Sequence, residues 1–234
     1  MKFYESGDNR KPVIFLFPGT CCLYSSFDHV LDGLHSYFYT VAVSYDGFDP
    51  NEKTEFYSME DECEKIEQEI RTKYGGRIKA AYGCSLGGSF VSLLIQRKRI
   101  HIDHGIIGSS DMDEAGSFMA KLQSSIIVPI MYKMVHTGKL PKFTQNKINE
   151  ADESRKKLID GFVNMFGIDK GGSPWITKQS VYNQFYSDLV TKVQHGIDVP
   201  GTTIHVFYAT KMGKKYEKRY CTYFKNPDIR RHNM

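Results

Sequence analysis

The sequence predicts an α/β fold: a mainly parallel sheet flanked by helices, with a block of helices inserted before the last strands. Three observations carry this. Apolar runs of strand length alternate with amphipathic helical patterns over residues 1–111. A Gly-x-Ser-x-Gly turn, residues 83–87, joins one such run directly to an apolar helix. From 112 to about 200 the alternation stops and only helical patterns are read, before strands return. The expected organisation is a core of 1–111 plus 201–234, interrupted by a helical insertion at 112–200.

The elements follow in order. Val13-Ile14-Phe15-Leu16-Phe17 is a continuous apolar run ended by Pro18-Gly19, which reads as a buried parallel strand. Ser25 or Ser26 can cap a helix that carries Phe27, Val30, Leu31, Leu34 and Phe38 on one face. Residues 39–44 form the next strand. Ser58 and Asp61 stand at capping-box spacing before a helix with Met59, Cys63, Ile66 and Ile70 inward, and Gly75-Gly76 ends it. The strand from Ile78 then leads into the serine turn. Phe90, Val91, Leu93, Leu94 and Ile95 form the helix behind it, with basic Arg97, Lys98 and Arg99 suiting its C-terminus. Residues 103–110 are a fourth strand. Helices are expected at 118–135, 148–166 and 177–193, a strand at 203–209, a basic helix at 214–224 and a last strand from 229.

The serine turn carries the chemistry. A strand that enters Gly-x-Ser-x-Gly and leaves as a helix is what a nucleophile elbow requires, because the sharp turn lifts the serine hydroxyl above the sheet. The flanking glycines remove side-chain clashes that the turn would otherwise create. Ser85 is therefore the candidate nucleophile. Cys84 beside it is expected to be buried.

Composition excludes several classes. The 234 residues are 41% hydrophobic and 13% aromatic, enough for a sizeable core. No run of eighteen apolar residues is present, so no membrane span is expected. Residues 1–8 lack the apolar core of a signal peptide. The five cysteines show no disulfide or zinc spacing, which suits reduced thiols and a cytoplasmic location. Segment 211–234 has net charge +6 against +4 for the whole chain, which reads as a solvated basic face. His101, Asp103 and His104 read as a polar turn and not as metal ligands. No phosphate loop or nucleic-acid module is seen. No cofactor and no metal are expected.

These residues together resemble the α/β-hydrolase family. Phe15-Leu16-Phe17-Pro18-Gly19-Thr20 is similar to that family's His-Gly-x loop, with Pro18 where His is common. Ser44-Tyr45-Asp46-Gly47-Phe48 is similar to its Asp-x-x-Gly turn, and segment 112–200 sits where the family inserts its lid. The resemblance implies a serine esterase or thioesterase working through an acyl-enzyme on Ser85. It implies oxyanion donors at the backbones of Leu86 and Thr20, with Cys21 as the other candidate. It implies an acid and a histidine in that chain order. Asp111 is the favoured acid, ahead of Asp228, Glu217 and Asp113. His232 is the histidine nearest the expected place, but it falls in the last strand, and the usual loop and closing helix do not follow it. A chain truncated before its base, His232 as base, and loss of hydrolysis are the three readings, in that order. A small hydrophobic acyl substrate is expected, bound in an apolar pocket above Ser85 lined by some of the insertion's large side chains, which include Phe118, Met119, Ile126, Ile130, Met131 and Phe185, while most of them pack between lid and sheet. A binding protein on a hydrolase scaffold and an acyltransferase are the alternatives. Oligomeric state stays open.

Overall fold

The computed structural model describes residues 1–140, 163, 166 and 171–233. Seven strands form one sheet in the order β1-β3-β2-β4-β5-β6-β7. They are β1 (Lys2–Ser6), β2 (Val13–Phe17), β3 (Tyr39–Ser44), β4 (Arg77–Cys84), β5 (His101–Gly108), β6 (Thr203–Ala209) and β7 (Asp228–His232). Strand β1 runs antiparallel to β3, and every other pairing is parallel. Among the described residues six helices flank the sheet. They are α1 (Asp28–His35), α2 (Met59–Tyr74), α3 (Leu86–Arg97), α4 (Ser117–Thr137), α5 (Lys178–Val190) and α6 (Lys214–Tyr223).

The parity of each strand sorts its side chains between two faces. Phe15, Phe17, Val41, Val43, Ala81, Ile107 and Val206 join the large core under α2 and α3. Ile14, Leu16, Ala42 and Ala80 face α1 in a smaller cluster, with Tyr82 and Ile106 packed against it. That second face is thinly covered. A cavity of about 430 Å³ lies there between α1 and the sheet, lined by Leu16, Leu34, Phe38, Tyr82, Ile106 and Phe207 and reaching Gly19 and Cys84.

Several expectations match closely. Ser58 caps α2 by accepting the Asp61 N–H at 3.1 Å, and Gly75 closes it in the left-handed conformation. Others need correction. Strand β1 was not expected, because Lys2-Phe3-Tyr4-Glu5-Ser6 mixes charge and aromatics in a way that suits only an edge. Neither Ser25 nor Ser26 caps α1, which continues from a short 3-10 turn (Tyr24–Phe27) with no side-chain cap. Strand β5 begins at His101, two residues before the expected start at 103, so the His101, Asp103 and His104 cluster lies on the strand itself and not in a turn before it. The expected helix at 148–166 lies outside the described residues, apart from 163 and 166. No described helix is long and apolar enough to cross a membrane.

The apolar side chains expected to line a pocket above Ser85 also go elsewhere. Met131, Tyr132, Tyr182 and Phe185 pack on the main core. Phe118 and Ile126 on α4 are 79% and 62% exposed, and Met119 and Ile130 are exposed as well, so these four do not line a closed pocket. The apolar cavity lies instead on the α1 side of the sheet.

Candidate active site

The site begins where β4 becomes α3. Ser85 sits between them with φ 52° and ψ −119°, a backbone conformation that a residue with a Cβ adopts only when its surroundings enforce it. Two bonds enforce it. The Ser85 N–H donates to the Gly108 carbonyl on β5 at 2.9 Å, and the Ser85 carbonyl accepts the Gly88 N–H at 2.8 Å. The glycines leave the room. A Cβ on Gly83 would lie 2.0 Å from the Gly87 carbonyl oxygen, and one on Gly87 would lie 2.1 Å from the Phe17 oxygen. Residues 86–95 are all buried while Ser85 is exposed, so the turn presents one hydroxyl on an apolar base.

The loop after β2 lies against this turn. A Cβ on Gly19 would stand 3.5 Å from the Ser85 Cβ. The loop is held at both ends by buried side chains. The Tyr45 hydroxyl donates to the Pro18 carbonyl at 3.3 Å. The Cys21 N–H donates to Gln184 Oε1, on α5, at 2.7 Å. Within the loop the Cys22 N–H closes on the Gly19 carbonyl at 3.0 Å, and Cys21 has φ 59°. Between these tethers the Thr20 N–H has no hydrogen-bond acceptor among the described residues. The Leu86 N–H opens α3, where the first amides have no intrahelical acceptor. The Thr20 and Leu86 amides thus have no acceptor among the described residues, whereas the Cys21 amide is engaged.

The remaining expected residues are more scattered. Asp111 follows β5, the strand next to β4, in a stretch where Ser109 and Met112 have positive φ. Its carboxylate is exposed, accepts the Asp113 N–H at 3.3 Å and makes no ion pair among the described residues. The other acids are committed elsewhere. Asp113 pairs with Arg219, Glu217 with Arg231, and Asp228 with His205 at 3.0 Å. His232 ends β7, and its ring leans on Phe207 with centroids 5.5 Å apart. Strand β7 is three positions from β4, about 14 Å at the usual strand spacing. No histidine is hydrogen-bonded to the Ser85 hydroxyl among the described residues.

Two residues of α5 were missed by the sequence reading. Gln184 meets the loop as described. Asp188, one turn further on, faces Ser89 of α3. Burial pushes its carboxyl up to about 7; the Ser89 hydroxyl opposes this, and the charges of Asp111 and Asp113 add to it. The only available signal was the helical spacing of 184 and 188. Thiol chemistry is disfavoured beside Ser85. Burial raises Cys84 above the usual thiol range, and it pushes Cys21 up to about 12. Among the described residues no group of three His, Cys, Asp or Glu side chains is arranged to hold a metal ion.

No family model matches this chain, and no curated protein matches it in sequence. Its fold is nonetheless shared with many solved structures. A protein of the α/β-hydrolase family from Desulfitobacterium hafniense aligns over 98% of this chain and 90% of its own, with TM-score 0.76 and 15% identity. A thermophilic esterase from Thermogutta terrifontis aligns over 98% and 82%, with TM-score 0.70 and 12% identity. The enol-lactonase from Burkholderia xenovorans LB400 aligns over 99% and 87%, with TM-score 0.63 and 12% identity. At such identities the likeness concerns architecture, and the chain has the α/β-hydrolase fold.

Proposed function

We propose that this protein is a serine hydrolase of esterase or thioesterase type. The observation that carries the reading is Ser85, exposed on a strained strand-to-helix turn beside two unengaged backbone amides. In this scheme the Ser85 oxygen attacks the acyl carbonyl and its proton passes to a general base. A serine hydroxyl needs such a base to act as nucleophile. The carbonyl oxygen gathers negative charge, which the Thr20 and Leu86 N–H groups stabilise; each such donor contributes about 3–4 kcal/mol of barrier lowering. The alcohol or thiol leaves with a proton, and water then cleaves the acyl-enzyme. Asp111 is the acid of this scheme because it follows the neighbouring strand and carries no ion pair among the described residues. His232, the histidine that chain order offers as base, ends β7 with its ring on Phe207 and makes no hydrogen bond to Ser85 among the described residues. Hydrophobic acyl groups suit the site, since the cavity that reaches Gly19 and Cys84 is apolar. The fold likeness to esterases and a lactonase agrees with this class.

An activated fluorophosphonate is expected to label the wild-type protein and not Ser85→Ala. Equal labelling of both would sink the assignment. With p-nitrophenyl esters, kcat/KM should rise with acyl length, and a flat series would count against an apolar acyl site. A second reading, a ligand-binding protein on the same scaffold, is favoured by one observation: no imidazole touches the Ser85 hydroxyl among the described residues. It predicts no labelling at all. Products formed with added alcohols or amines would identify an acyltransferase.

A further inference from the structure

Resting on the Ser85 reading above, we infer that Gln184 is a positioning residue for the oxyanion-side loop, acting by locking the central peptide of the 19–22 turn. The turn is closed by the Cys22 N–H on the Gly19 carbonyl, so Thr20 and Cys21 are its two central residues. Positive φ at the second central residue marks a type II turn, a place that favours glycine or asparagine. Cys21 holds φ 59° there with a side chain that the left-handed region disfavours. A type I turn, with the peptide between Thr20 and Cys21 rotated by about half a turn, would relieve that strain. Something must therefore hold the strained form.

Gln184 is the holder. It is fully buried and reaches the turn from 163 residues away, accepting the Cys21 N–H at 2.7 Å. The orientation of the amide is fixed by chemistry, since Nε2 would set donor against donor. In the rotated turn that N–H would point away and the Thr20 carbonyl would face the Gln184 oxygen. The other end of the amide has no structural duty: Nε2 is buried with no hydrogen-bond partner among the described residues. An orphaned buried donor is destabilising. A methionine of similar length would remove it, so packing alone does not call for an amide at this position. What glutamine contributes is an acceptor aimed at one peptide.

That peptide adjoins the proposed oxyanion donor. A Cβ on Gly19 would stand 3.5 Å from the Ser85 Cβ, and Thr20 lies between the Tyr45 tether on Pro18 and the Gln184 tether on Cys21. Helix α5, which carries Gln184, also binds the Phe56 backbone through Ser180 and Asn183. Through Gln184 the helical insertion sets the orientation of the loop beside the nucleophile.

The test compares Gln184→Met, which fills the space without an acceptor, with Gln184→Glu, which keeps an acceptor oxygen. With a p-nitrophenyl ester, Gln184→Met should lower kcat roughly 10- to 100-fold, as sub-ångström misplacement of an oxyanion donor does, with KM changed less than about threefold. Gln184→Glu should keep kcat within about tenfold of wild type, and thermal melts establish that both variants fold. The Cys21 amide proton resonance, which does not depend on turnover, should move upfield in Gln184→Met as its hydrogen bond is lost. A Gln184→Met protein with wild-type kcat, or with the Cys21 amide unmoved, overturns the inference. If wild type shows no Ser85-dependent turnover or labelling, the hydrolase reading fails, and the Cys21 resonance alone decides whether Gln184 holds the turn.

Discussion

At Ser85 a side chain is held where backbone sterics disfavour it, at a cost of about 1–3 kcal/mol that the surrounding bonds offset. The sequence announces this through its glycines, since Gly83 and Gly87 leave no other residue room. It does not announce Gln184 or Asp188, because both act across more than 90 residues of chain on partners that no local pattern names. Asp188 yields a prediction of its own. Its folded pKa is about 7, against about 3.9 for an unfolded aspartate. Below pH 4 both states are protonated and the residue is neutral to stability. Between pH 4 and 7 the unfolded chain releases the proton while the folded one keeps it, so stability falls as pH rises. Above pH 7 the full cost applies. Asp188→Asn should therefore raise stability little at pH 4.5 and by about 1–3 kcal/mol at pH 8, the lower part of that range reflecting partial solvent access. Urea melts at the two pH values measure it, and an equal gain at both would show that Asp188 does not titrate as described.

Among the elements, those with local signals were the legible ones. Helix α2 has its serine cap, its inward apolar stripe and its glycine stop, and it forms where those signals stand. Strand β1 was missed because an edge strand needs no apolar run. The start of α1 was misread because a 3-10 turn took the place of a serine cap. The packing of α2 against α3 was also hidden. Arg97 suits the C-terminus of α3 by charge alone, but its guanidinium also meets the fully buried Glu67 of α2 at 2.6 and 3.1 Å. The pair joins the two helices that cover one face of the sheet. Taking away Arg97 leaves the buried Glu67 carboxylate with only the longer contact to Arg99, at 3.5 Å. With Arg99 still near Glu67, Arg97→Met is expected to cost about 1–3 kcal/mol, less than a fully unmatched buried charge, while the double change Glu67→Leu with Arg97→Met should recover most of that loss. Chemical denaturation of the three variants and wild type closes the cycle. A double variant as unstable as Arg97→Met alone would place the effect in packing and not in the charge.

Over the whole molecule, the alternation of strand and helix made the fold class legible, because each parallel crossover leaves its period in the chain. The order of strands across the sheet was not legible. It is a lateral fact, and linear spacing carries no lateral distance. His232 shows the consequence. In the sequence it follows Ser85 and Asp111 in the expected order of a catalytic triad. In the fold, β5 and β6 stand between its strand and that of Ser85, and its ring rests on Phe207. A general base must come within about 3 Å of the proton it takes, directly or through one water. The two strands stand about 14 Å apart across the sheet, and the His232 ring is turned onto Phe207 of β6 with no hydrogen bond to Ser85 among the described residues. His232→Ala should thus change Ser85 labelling by fluorophosphonate less than about threefold, whereas loss of a working triad base removes activity by several orders of magnitude. Measuring the labelling rate and p-nitrophenyl ester turnover together separates the cases. Retained rates would leave His232 as a side chain packed on Phe207. A thousand-fold loss of both, with the thermal melt unchanged, would instead mean that the end of β7 swings toward Ser85 during turnover, making His232 the base after all.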